Sequence, residues 1–95
     1  MNRSDLINAL KEEANLSRKD SEKIVDTFFQ TITETLASGE RVEIRGFGSF
    51  TVKKYKPYTG RNPKTGVQIR VPSKKLPFFK VGKELKEMVD LEEDE

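Results

Sequence analysis

The segment KKYKPYTGRNPKTGVQIRVPSKK, residues 53–75, carries eight cations and no acid. They are Lys53, Lys54, Lys56, Arg61, Lys64, Arg70, Lys74 and Lys75. Its larger apolar side chains are Tyr55, Tyr58, Val67, Ile69 and Val71, too few for a core. Pro57 and Pro72 lie almost symmetrically about a tip at Gly60–Gly66. A sheet tolerates proline only at edges, strand starts and bulges, and a two-stranded ribbon is all edge. The pattern predicts a hairpin arm over residues 53–75 that projects from a body. Six or seven residues a side, at about 3.3 Å each, give it a reach of roughly 20–23 Å.

The flanking sequence supplies the body. Asn2 with Asp5, and Ser17 with Asp20, have the spacing of capping boxes and open two helices. Leu6, Ile7, Leu10 and Ala14 share a face of the first. Ile24, Val25, Phe28, Phe29, Ile32 and Leu36 recur at helical spacing along the second, over roughly 140° of its surface. That width serves both an intrachain core and a partner. Gly39 fits a helix stop. From Arg41 the period changes to two: Val42 and Ile44 alternate with Arg41, Glu43 and Arg45. A tight turn at Gly46-Phe47-Gly48 leads into a second strand with Phe50 and Val52. Beyond the arm, Leu76-Pro77-Phe78-Phe79 returns to the core, and Gly82 precedes a last helix with Leu85, Met88 and Val89 on one side. The acidic end, residues 90–95, reads as a disordered tail, leaving residues 1–89 as one domain.

Composition narrows the function. In 95 residues, 36% are charged and 34% hydrophobic, which is little apolar material for a chain that also extends an arm. Dimerisation supplies the missing burial. Cys and His are absent, which removes disulfides, thiol nucleophiles, imidazole bases and the usual zinc sites. No metal, cofactor or small-molecule substrate is expected, and no stretch approaches a membrane span. The class implied is a cytoplasmic protein that is not an enzyme. The net charge of +2 hides a segregation. Residues 1–40 balance to −3, residues 41–89 to +10 and residues 90–95 to −5. A basic block of that size suits a polyanion.

Isolated ribbons are marginal, and like charges weaken this one further. Phosphates would relieve both problems, whereas the plain alternative is a solvated hairpin kept soluble by charge. At the tip, Arg61 and Asn62 are donors suited to the acceptors on the floor of the DNA minor groove. Pro63 brings a rigid apolar ring that can wedge between base pairs, although N-P-x-x-G is also an ordinary turn.

Three runs in register, GERVEIRGFGSF (residues 39–50), GRNPKTG (residues 60–66) and FKVGKEL (residues 79–85), resemble the HU and integration host factor family. The resemblance covers nearly the whole chain. It implies an α+β fold: two N-terminal helices over a short antiparallel sheet, a protruding two-stranded β-arm and a short C-terminal helix, in an intertwined dimer. The partners implied are double-stranded DNA and a second subunit, identical or related. The function implied is minor-groove binding and bending, in the bacterial nucleoid. Pro63 would insert between base pairs, with the arm cations and Asn62 beside it. Arg3, Lys80, Lys83 and Lys86 would line the DNA along the body, although Lys86 can pair instead with Glu87. Phe28, Phe29, Ile32, Phe47, Phe50 and Phe79 would form the shared core. Glu43-Ile44-Arg45 is similar to the integration host factor β subunit, where such an arginine helps to read sequence. That favours site-selective bending in recombination, replication and transcription over sequence-tolerant compaction. A different class stays open, an oligomerisation module whose solvated arms clasp another protein. One departure is Val81, where many relatives have proline.

Overall fold

The computed structural model describes residues 1–91. Helix α1 (Arg3–Ala14) opens with a complete capping box: the Asn2 side chain accepts the Asp5 N–H at 2.9 Å, and the Asp5 carboxylate accepts the Asn2 N–H at 3.0 Å. Helix α2 (Arg18–Ala37) forms half of the expected box, with Ser17 Oγ accepting the Asp20 N–H at 3.1 Å. Its end is a Schellman motif. The Gly39 N–H donates to the Leu36 carbonyl and the Glu40 N–H to the Thr35 carbonyl, with Gly39 at φ 90°. The helices pack on each other through Ile7, Ser21 and Val25, all buried. The Ser21 hydroxyl donates to the Ser17 carbonyl at 2.9 Å, so its burial leaves nothing unsatisfied. Leu6 and Leu10 are half-buried, whereas Ala14, in the last turn, is exposed.

The strands are β1 (Val42–Ile44), β2 (Gly48–Tyr55), β3 (Tyr58–Arg61), β4 (Gln68–Val71) and β5 (Lys74–Val81). They form an antiparallel sheet in the order β1-β2-β5 and a separate β3-β4 ribbon. The β1–β2 turn lies one residue earlier than the sequence predicts. Ile44 pairs with Gly48, so Arg45-Gly46-Phe47 is the turn and Arg45 is no longer a strand residue. The Phe47 N–H donates to the Ile44 carbonyl at 3.0 Å, and Gly46 takes φ 84°. Gly48 is needed inside β2 for another reason. A Cβ there would lie 2.6 Å from both the Lys80 carbonyl and the Phe79 ring.

Helix α3 (Lys83–Asp90) is tied to that turn. The Gly82 N–H donates to the Phe47 carbonyl at 2.8 Å and the Leu85 N–H to the Gly46 carbonyl at 3.1 Å. These two bonds fix the entry to α3 with Val81 in place of proline. Leu85 is half-buried, but Met88 and Val89 are each 70% exposed, so the apolar side expected of this helix is covered only at its start. Asp90 closes α3 rather than beginning a tail, and the remainder of the acidic end, residues 92–95, lies outside the described residues.

Only two apolar side chains among the described residues are buried, Ile7 and Val25. Phe28, Phe29, Phe47 and Phe79 are 40–49% exposed, with Phe50 and Ile32 half-buried. Leu6, Phe28, Phe29, Ile32, Ile44, Phe47 and Phe50 line an apolar hollow of about 400 Å³. Phe79 stands beside it, its ring 5.6 Å from that of Phe47 and 4.9 Å from that of Phe50. The radius of gyration is 19.3 Å, against about 12 Å for a compact chain of this length. A lone copy is a frame around an unfilled aromatic face.

Candidate nucleic-acid interface

The arm is longer and more articulated than a single ribbon. Strands β2 and β5 run out of the body as far as Tyr55–Lys74, and pairing resumes at Tyr58–Val71. Between them the ladder is interrupted at Lys56-Pro57 on one strand and Pro72-Ser73 on the other. Proline has no N–H to give a ladder, and these two lie opposite each other. Two residues lie between Tyr55 and Tyr58, and two between Val71 and Lys74, so the break leaves the register in step.

The tip is a closed turn over Asn62–Val67, narrower than the Gly60–Gly66 expected. The Asn62 N–H donates to the Val67 carbonyl at 2.9 Å, and the Gly66 N–H donates to the Asn62 carbonyl at 2.7 Å. Asn62 Oδ1 accepts the Lys64 N–H at 2.8 Å and the Thr65 N–H at 3.4 Å. Asparagine therefore shapes the turn through its oxygen, a role that N-P-x-x-G spacing could have signalled. Its amide nitrogen makes no hydrogen bond among the described residues and stays available as a donor. Pro63 is held at the apex with its ring exposed.

Among the described residues the ion pairs are Arg3–Asp26, Arg18–Glu22 and Arg41–Glu43. Among these residues, none of the eight arm cations is in an ion pair. Lys53 is held in one place, its Nζ 3.6 Å from the centroid of the Phe78 ring. On the body, Arg45, Lys80 and Lys83 line one groove of about 360 Å³ with Arg41 and Glu43, where the β1–β2 turn meets the start of α3. Glu43 takes up one end of Arg41 at 3.5 Å, and Arg45 has no ion pair among the described residues. Lys86 projects from α3 with no ion pair to Glu87.

Arg3 is placed differently from the other expected contacts. Its guanidinium is a two-pronged donor to Asp26, Nε to Oδ1 at 2.9 Å and Nη2 to Oδ2 at 2.7 Å. The pair joins α1 to α2 across 23 residues, and nothing local in the sequence announces it. A phosphate reaching Arg3 competes with Asp26. The hydrogen bond from Arg3 holds the Asp26 carboxyl below its ordinary range, and the same pair raises the Arg3 guanidinium. The contribution of the pair is complete above the ordinary aspartate value, about 4, and is lost as pH falls through the lower folded-state value. Asp26→Asn is therefore expected to flatten the decline of melting temperature below about pH 4, measured by circular dichroism. Parallel pH profiles would refute this. Both side chains are exposed, so the difference will be small.

Comparison with known proteins places this geometry. The family model described as bacterial DNA-binding protein matches residues 1–90. The chain is 50% identical over 90 residues to DNA-binding protein HU-1 of Halalkalibacterium halodurans, covering 95% of this chain and 100% of that one. It is also 50% identical over 92 residues to the integration host factor subunit beta of Bordetella petrii, covering 96% and 77% respectively. Among solved structures, the Anabaena HU–DNA cocrystal structure superposes with a TM-score of 0.87 at 35% identity, covering 96% of this chain and 99% of that one. HU mutant V42I from Thermotoga maritima superposes at 0.71 with 39% identity, covering 95% and 100%. With family model, relatives and fold in agreement over nearly its whole length, this chain belongs to the bacterial DNA-binding protein family of HU and integration host factor.

Proposed function

We propose that this chain is an architectural protein of double-stranded DNA. Two copies, or one copy and a related subunit, close the aromatic hollow and form the body. Each arm then follows the minor groove, and Pro63 wedges into the base stack at its end. The single observation that carries this reading is the arm: eight cations, no acid within it, and no ion pair to any of them among the described residues. Such an array stays apart from the body's acids and offers itself to phosphate. Residues 1–89 act as one unit, with residues 92–95 outside the described part. The reading assigns the protein no reaction and places it with the chromosome in the cytoplasm.

Affinity from phosphate neutralisation must fall steeply with salt. Fluorescence anisotropy with a labelled duplex is expected to show a loss of about 10³–10⁵ between 50 and 200 mM salt if 6–10 phosphates are contacted. Absence of binding at the lower salt would favour a protein-clasping module, whose arms are indifferent to DNA. Arg45 favours selective over uniform bending, because it stands beside Lys80 and Lys83 with no ion pair among the described residues. Selectivity would then come largely from how easily each sequence deforms. Arg45→Ala is expected to narrow the affinity gap between A-tract and random duplexes at one salt concentration. An unchanged gap would leave sequence-tolerant compaction.

A further inference from the structure

Helix α3 has no side-chain cap, because Gly82 stands at the capping position. Two of its first N–H groups are taken instead by the β1–β2 turn, which is remote in the chain. The Phe47 carbonyl accepts the Gly82 N–H and the Gly46 carbonyl accepts the Leu85 N–H. The approach is close. A Cβ on Gly82 would lie 3.0 Å from the Phe47 carbonyl carbon and 3.1 Å from that of Gly46, and a Cβ on Gly46 would overlap the Glu84 carboxylate. Gly46 is therefore gripped twice, at its carbonyl by Gly82 and Leu85 and at its Cα by Glu84. Arg45 is its neighbour in that turn, and its side chain is exposed. Lys83 is the first residue of α3 and lines the same groove as Arg45. The grip thus sets the spacing of these two cations.

We infer that Gly82 and Glu84 are positioning residues for sequence selectivity, fixing the turn from which Arg45 acts. The inference rests on the reading of Arg45 as the selective contact. Neither residue needs to touch DNA for this role. Gly82 has no side chain to offer, and Glu84 carries the charge that phosphate repels. Glu84 makes no ion pair among the described residues, so it acts on the turn through shape. The two kinds of contact open to an arginine differ in what they tolerate. Attraction to phosphate falls off slowly with distance and has no preferred direction. A hydrogen bond to a base edge weakens steeply once its angle is lost. Loosening the root of Arg45 should therefore cost selectivity first and general affinity little.

Glu84→Ala is expected to shrink the affinity gap between A-tract and random duplexes about threefold, toward the lower end of coupling between residues in contact. Gly82→Ala, which pushes the turn away from α3, should do the same. The slope of log Kd against log salt should stay that of the wild type, since no cation is lost. Glu84→Gln keeps the shape of the side chain and should restore the gap. In an Arg45→Ala background, Glu84→Ala should change the gap no further. A merely stabilising helix start would lower the melting temperature in both backgrounds and show no such dependence. Should Gly82→Ala unfold the body, Glu84→Ala decides the matter, because it alters only an exposed side chain. A wild-type gap in Glu84→Ala, or an added loss on top of Arg45→Ala, would overturn the inference and leave Arg45 its role. A wild-type gap in Arg45→Ala itself would remove the selective reading and the inference with it.

Discussion

Phe79→Ala is expected to remove most of the stability of the body. The Phe79 ring lies against Phe47 and Phe50 and occupies the space kept open by Gly48. Deleting an aromatic ring from a filled core costs about 3–5 kcal/mol, and small proteins have roughly 5–15 kcal/mol in total. The core is filled only when a second chain covers the aromatic hollow, since a lone copy buries Ile7 and Val25 alone among its described apolar side chains. Folding and association are then one equilibrium, and the wild-type melting temperature will rise with protein concentration. Circular dichroism melts across a dilution series, with light scattering after size exclusion, read both effects. Phe78→Ala is the control. Phe78 opposes Thr51 on the other side of the sheet and touches Lys53 instead, so its loss should move the melt far less. A melting temperature independent of concentration, or equal effects at positions 78 and 79, would contradict this account.

Pro63→Ala is expected to reduce DNA bending much more than affinity. The turn that presents Pro63 is closed by Asn62, Gly66 and Val67, none of which needs the pyrrolidine ring. Alanine can occupy the apex, and every arm cation remains. Phosphate neutralisation supplies a large share of such affinity and should survive. The proposed wedge into a base step would not, and inserted apolar side chains are how minor-groove architectural proteins kink their DNA. Fluorescence transfer between labelled duplex ends measures the bend directly. Asn62→Ala provides the contrast, because it removes the Oδ1 acceptor of two turn N–H groups. It should lower bending by misdirecting an intact Pro63. An unchanged bend in Pro63→Ala would end the wedge argument.

The elements legible in the sequence were those set by neighbours a few residues apart. The Asn2–Asp5 box, the Gly39 stop and the alternation from Val42 are local chemistry, and each stands where the pattern puts it. The arm was legible for the same reason, since charge and paired prolines mark it without reference to the body. The β1–β2 turn was misplaced by one residue because two glycines flank Phe47. Only the approach of Phe79 and Lys80 shows that Gly48 belongs to the strand. Asp26 was missed as the partner of Arg3 because that pair depends on how α1 crosses α2. The grip of α3 on the Arg45 turn needed the tertiary fold, as sequence spacing alone does not say that the Leu85 N–H meets the Gly46 carbonyl.

The matched proline interruption constrains how this arm can change in length. Its two strands leave the body, pass the gap and resume with every partner preserved. One residue added to a single strand would shift all distal partners and turn one strand's side chains over. One residue added to each strand would keep the partners but present Pro63 from the opposite side of the ribbon. Only matched insertions of two residues per strand leave both the partners and the aim of the tip intact. The arm is thus a ratchet with a fixed tooth spacing, and any lengthened or shortened version that still works must have moved by whole teeth.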